Sequence, residues 1–132
     1  MITVECTSNN IEDVGSDDLK EFAFTQDPHG VLDVTRGGMY VVYGIRENKL
    51  GKFYLILTDT IHTSVPWWMP ASLFRVANNA LPASWGKYKW HGDYGGEVIQ
   101  ADPIYFDAQE DVEDGTLRGQ QIFDVMRKRL ES

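Results

Sequence analysis

A chain of 132 residues with 42% hydrophobic and 24% charged side chains is long enough for one packed domain and too apolar for wholesale disorder. Its formal charge of −8 and pI of about 4.7 repel phosphate, which excludes nucleic acid and anionic membrane surfaces as main partners and favours a cationic protein. One cysteine, Cys6, cannot form an internal disulfide; with no basic-then-apolar leader and no apolar run near the ~20 residues of a bilayer span, the expected compartment is the cytoplasm.

Residues 1–6 (Met-Ile-Thr-Val-Glu-Cys) alternate in polarity and are expected to form an edge strand, with Ser8-Asn9-Asn10 as a turn. Ser16 or Asp17 is placed to cap a short helix through Leu19-Lys20-Glu21-Phe22, ended by Gln26-Asp27-Pro28-His29-Gly30. Val31-Leu32-Asp33-Val34 leads to the turn Thr35-Arg36-Gly37-Gly38. Met39-Tyr40-Val41-Val42-Tyr43-Gly44-Ile45 is dense in β-branched and aromatic residues and predicts a strand. Residues 46–52, with Glu47-Asn48-Lys49 and Gly51, fit a hairpin loop, and Phe53-Tyr54-Leu55-Ile56-Leu57-Thr58 returns. Val65-Pro66-Trp67-Trp68-Met69 reads as a third strand, kept extended and near a sheet edge by its prolines. Pro70 favours one helical turn followed by a short strand within Ala71-Ser72-Leu73-Phe74-Arg75-Val76.

Residues 85–96, rich in glycine and aromatics, are expected to be an irregular loop. Glu97-Val98-Ile99-Gln100 and Ile104-Tyr105-Phe106 are candidate short strands, and residues 107–115 an acidic linker. Asp114 or Thr116 is placed to cap a final helix over about 116–131, with Ile122, Val125, Met126 and Leu130 on one stripe that Phe123 broadens. The expected fold class is α+β in a single domain, 1–132. A small bent antiparallel sheet, with its central β unit at about 31–76, packs against the C-terminal helix.

The run from Gly38 to Val76 resembles an SH3-like small barrel. It has a glycine turn, a long strand, a returning hairpin and an aromatic strand. Pro70-Ala71-Ser72-Leu73-Phe74 looks like the Pro-Ser-Asn-Tyr-Val segment that closes SH3 domains, and Trp67-Trp68 resembles their tandem tryptophans. The resemblance implies a partial barrel. The Ala-Leu-Tyr-Asp-Tyr motif of the SH3 ligand groove is absent, so recognition of Pro-rich peptides is not implied. Over the whole chain, four segments in this order resemble small bacterial immunity proteins of polymorphic-toxin and contact-dependent inhibition systems. They are Tyr40-Val41-Val42-Tyr43-Gly44-Ile45, Tyr54-Leu55-Ile56, Trp68-Met69-Pro70-Ala71-Ser72-Leu73-Phe74 and Leu81-Pro82-Ala83-Ser84-Trp85. That similarity implies a non-catalytic cytoplasmic inhibitor that binds one cognate toxin, such as a basic nuclease, and occludes its active site. An SH3-like protein- or peptide-binding adaptor is the alternative, and a small enzyme of unrecognised type the third.

The candidate partner-binding residues follow from charge and size. Asp107, Glu110, Asp111, Glu113 and Asp114 place five carboxylates in eight positions, either to meet Lys and Arg on a basic partner or as a solvated loop. Trp68, Trp85, Trp90 and Tyr94 are candidate aromatic anchors, since interface hot spots are enriched in such side chains. Of Trp67 and Trp68, one is expected to face the core and the other solvent, because consecutive strand residues point to opposite faces. Catalytic and metal sites are not expected. Cys6, near a terminus expected to be mobile, has no nucleophile motif around it, and His29, His62 and His91 are scattered. No cofactor motif is present; Arg36-Gly37-Gly38 is a turn rather than a phosphate loop.

Overall fold

The computed structural model describes residues 1–16, 20, 30–90 and 96–131. Among the described residues eight strands run in chain order: β1 (Ile2–Cys6), β2 (Met39–Val41), β3 (Gly44–Asn48), β4 (Gly51–Ile56), β5 (Trp67–Pro70), β6 (Phe74–Asn79), β7 (Gly86–Trp90) and β8 (Glu97–Ala101). The helices α1 (Pro103–Asp107), α2 (Gln109–Asp114) and α3 (Leu117–Glu131) follow them. The strands form two antiparallel sheets, ordered β2–β1–β6 and β5–β4–β3–β8–β7. The architecture is thus α+β, with open sheets and a C-terminal helix.

β1 is not an edge strand. It lies at the centre of the small sheet, with β2 on one side and β6 on the other. Its alternation buries Ile2, Val4 and Cys6 on one face, and partners more than 30 residues away satisfy both of its hydrogen-bonding sides. Cys6 therefore sits in a paired, buried strand rather than a mobile terminus.

The run 39–45, expected as one strand, divides at Val42-Tyr43. The Val42 amide donates to Ile2 O at 2.9 Å, whereas the Tyr43 amide donates to Leu55 O at 2.8 Å. Consecutive residues are thus bonded to different sheets, and their side chains enter different cores. The chain crosses between sheets a second time after Pro70, through a 3-10 turn over Ala71–Leu73, before β6 pairs with β1. The one bent sheet expected from the sequence is thus two sheets joined at these corners. The β3–β4 hairpin is tighter than expected, because Asn48 pairs with Gly51 around a two-residue turn at Lys49-Leu50.

The large sheet is covered on both faces. In β4, Phe53 and Leu55 face the helices with Ile99, Tyr105 and Phe123, while Tyr54 and Ile56 face Ile2, Val4 and Leu73. This is why four consecutive residues, 53–56, are all buried.

Between 86 and 114 the structure departs from the sequence expectation. The expected loop contains β7, paired along its length with β8. The expected strand Ile104-Tyr105-Phe106 is α1. Asp102 accepts from the Ile104 amide at 3.2 Å and Pro103 opens the first turn, so the helix start is capped. The acidic linker is the end of α1 and all of α2. Tyr105, Ala108 and Val112 recur at helical spacing and are buried against the sheet.

Thr116 caps α3, its hydroxyl accepting from the Gly119 amide at 3.1 Å. The inward row is Gly119, Phe123 and Met126; Val125, expected on that stripe, is exposed. The short N-terminal helix expected after Ser16 lies almost wholly outside the described residues.

Candidate partner-binding surface

The helical layer divides the five clustered carboxylates by role. Asp107 ends α1, and Glu110 and Asp114 lie one turn apart on α2. All three are exposed, and among the described residues none makes a side-chain hydrogen bond or ion pair. Asp111 is half-buried, accepting from Thr116 Oγ1 at 2.9 Å and facing Arg118 Nη1 at 3.4 Å.

Glu113 turns inward. Its Oε1 accepts from Tyr105 OH at 2.8 Å, Trp68 Nε1 at 3.0 Å and Arg46 Nη2 at 3.2 Å. Arg46 lies over the Trp68 ring with Cζ 4.5 Å from the centroid, and its Nε is 3.4 Å from Glu97 Oε1. Burial, with Glu113 beside it, pushes the Tyr105 phenol far above its ordinary range, so it stays a neutral donor to the carboxylate. Glu113 thus ties α1, β3 and β5 together through one carboxylate oxygen. Removing one member of so shielded a group leaves the others without partners, which costs more than the group contributes as a whole.

The aromatic candidates divide as well. Trp68 is 5% exposed and belongs to the helix-side core. It cannot touch a partner directly, which corrects its place among the candidate anchors. Trp85 is half-buried against the small-sheet core. Trp90 has its backbone in β7, but its side chain, like all of Tyr94, lies outside the described residues.

The outward tryptophan is Trp67, at 40% exposure. Its ring stacks on His62 with centroids 4.5 Å apart and planes 7° from parallel. Ile61, next to His62 in the chain, is 73% exposed. Parity along β5 foretells that the two tryptophans part. It does not say which is open, because both faces of this sheet are covered elsewhere. The edge position of β5 leaves the Trp67 side uncovered.

The segment carrying Ile61 and His62 is held by Asp33. Its carboxylate accepts from Thr58 Oγ1 at 2.6 Å, Thr60 Oγ1 at 2.7 Å, Ile61 N at 2.7 Å and Thr60 N at 3.1 Å. Burial works against ionisation, but these donors outweigh it and hold Asp33 at about 2. Thr58 and His62 close the loop on each other, Thr58 N donating to His62 O at 2.8 Å and His62 N to Thr58 Oγ1 at 2.9 Å. Partial burial lowers the His62 imidazole below its ordinary value, against the opposing pull of the Asp33 charge, and so favours the neutral ring. Next to this loop, Tyr40 OH and Thr35 Oγ1 donate to Asp59 at 2.8 and 2.6 Å.

Among the described residues no three His, Cys, Asp or Glu side chains converge as a metal site requires. The Cys6 thiol donates to Ser8 O at 3.2 Å, and burial raises its pKa, which disfavours the thiolate a nucleophile needs. His29 and His91 lie outside the described residues. Among the described residues no helix is long and apolar enough to cross a membrane. No family model, curated protein or solved structure matches the chain.

Proposed function

We propose that this chain is an immunity protein, a cytoplasmic inhibitor that neutralises a cognate toxin by stoichiometric binding, with a basic nuclease as the kind of toxin its charge suits. The observation that carries the reading is the helix-borne set Asp107, Glu110 and Asp114, exposed and without a cationic partner among the described residues, on a protein of net charge −8. The helices fix where these three carboxylates leave the backbone, so the charge is presented as a cluster that attracts lysine and arginine. Covering an active site is sufficient for inhibition, so this chain contributes no reaction step.

The test is a pull-down of the tagged protein with the product of the neighbouring gene, at low and high salt. A one-to-one complex whose association slows as salt rises is the expected result. A complex insensitive to salt retains inhibition and removes the electrostatic part of the argument. Absence of a complex overturns the reading.

The adaptor alternative draws less support. The Arg46 side chain beside the hairpin is enclosed by Trp68, Glu97 and Glu113 rather than open to a groove.

A further inference from the structure

We propose that Trp67, its stacking partner His62 and the adjacent Ile61 form the apolar anchor of the docking surface, and that the occupant is a protein with an apolar recess bordered by lysine or arginine. This rests on the reading of the chain as a stoichiometric inhibitor and names the part of its surface that makes the decisive contact.

Three observations support it. The first is rigidity. Trp67 is held flat on His62, and the loop bearing His62 and Ile61 is fastened at four donor groups to Asp33. A large aromatic already fixed in one orientation loses little entropy on binding, which is what gives such residues their weight at interfaces.

The second is the chemistry of the edge. β5 is an outer strand, but Pro66 and Pro70 bracket it and neither has an N–H to offer. A partner is therefore met by side chains rather than by an added strand, and Trp67 is the large one presented there.

The third is charge complementarity. Val65, two residues before Trp67, packs on Gly115, where a Cβ would stand only 2.8 Å from Val65 Cγ2. Gly115 directly follows Asp114, so the end of the acidic helix lies against the segment that leads into β5 and Trp67. Asp59, three residues before His62 in the chain, keeps an exposed carboxylate whose partners are hydroxyls. An apolar patch bordered by carboxylates fits a recess bordered by cations.

The experiment measures binding of the purified neighbouring-gene product by surface plasmon resonance, with thermal melts confirming that each variant folds. Trp67→Ala is expected to weaken the complex about 30-fold or more, mainly through faster dissociation. Ile61→Asp tests the same patch at a side chain that is 73% exposed and so not needed for folding, and is expected to weaken binding at least ~10-fold. Leu81→Ala removes an exposed apolar side chain elsewhere and is expected to leave affinity within about twofold. A complex that forms with wild-type affinity in both Trp67→Ala and Ile61→Asp overturns the anchor and leaves the inhibitor reading standing. Absence of any wild-type complex overturns both. A dimer of the free protein that Trp67→Ala dissolves, measured by light scattering, identifies the occupant as a second copy and overturns the cationic partner.

Discussion

Asp33 shows how one carboxylate can organise a surface that it does not itself present. It makes no ion pair among the described residues; hydroxyl and amide donors from Thr58, Thr60 and Ile61 surround it and hold its pKa at about 2. In the unfolded chain the same group titrates near ~3.9. Above that value both states are ionised and the donors stabilise the fold in full. As pH falls from ~4 towards ~2, the unfolded chain takes up the proton first and the contribution is lost. Urea unfolding of wild type and Asp33→Asn across this range checks the point. The wild type is expected to be the more stable at pH 6, with the gap closing through the acid window. A gap that does not change with pH would show that the carboxylate's charge has no part in holding the loop. The same substitution loosens the loop that carries Ile61 and is expected to weaken partner binding.

At the scale of elements, the junction of α2 and α3 depends on one missing side chain. A Cβ built on Gly119 would overlap the carbonyl of Asp111 and the amide of Val112. Both are backbone atoms and cannot step aside as a flexible side chain would. Helix propensity alone favours Ala over Gly by about 1 kcal/mol in a helix interior. Close packing reverses that sign, and Gly119→Ala is expected to lose ~2 kcal/mol or more as the helices part. The midpoint of urea denaturation decides it, and a more stable variant would mean that the helices do not approach so closely. The sequence announced neither this approach nor α1 and α2. Ile104-Tyr105-Phe106 reads as a strand on residue type, and the acids after it read as solvated linker. The corrective signals were present: Asp102-Pro103 as a helix start, and Tyr105, Ala108 and Val112 at helical spacing. Elements set by strong local chemistry were legible, among them β4, the proline-bracketed β5, the turn after Pro70 and the Thr116 cap. Those set by distant partners were not. The central place of β1 depends on β2 and β6, and the division of Trp67 from Trp68 depends on where the sheet ends.

For the whole molecule, the net charge of −8 acts on stability and on association in opposite directions. Like charges on a compact body repel, and the carboxylates of Asp107, Glu110 and Asp114 add to that repulsion with no cation beside them among the described residues. Neutralising them together, as Asp107→Asn, Glu110→Gln and Asp114→Asn, is therefore expected to raise the melting temperature at low salt. Raising the salt from about 10 mM to about 1 M shrinks the Debye length from ~30 Å to ~3 Å, so the advantage of the triple variant should fade over that range. The same substitutions are expected to slow association with a basic partner at low salt while leaving dissociation nearly unchanged, because the apolar anchor is untouched. A stability gain coupled to a slower on-rate is what a charged surface kept for recognition should show. If the triple variant melts at the wild-type temperature and binds at the wild-type rate at low salt, these carboxylates are merely solvated. Attraction would then have to come from acids elsewhere on the chain.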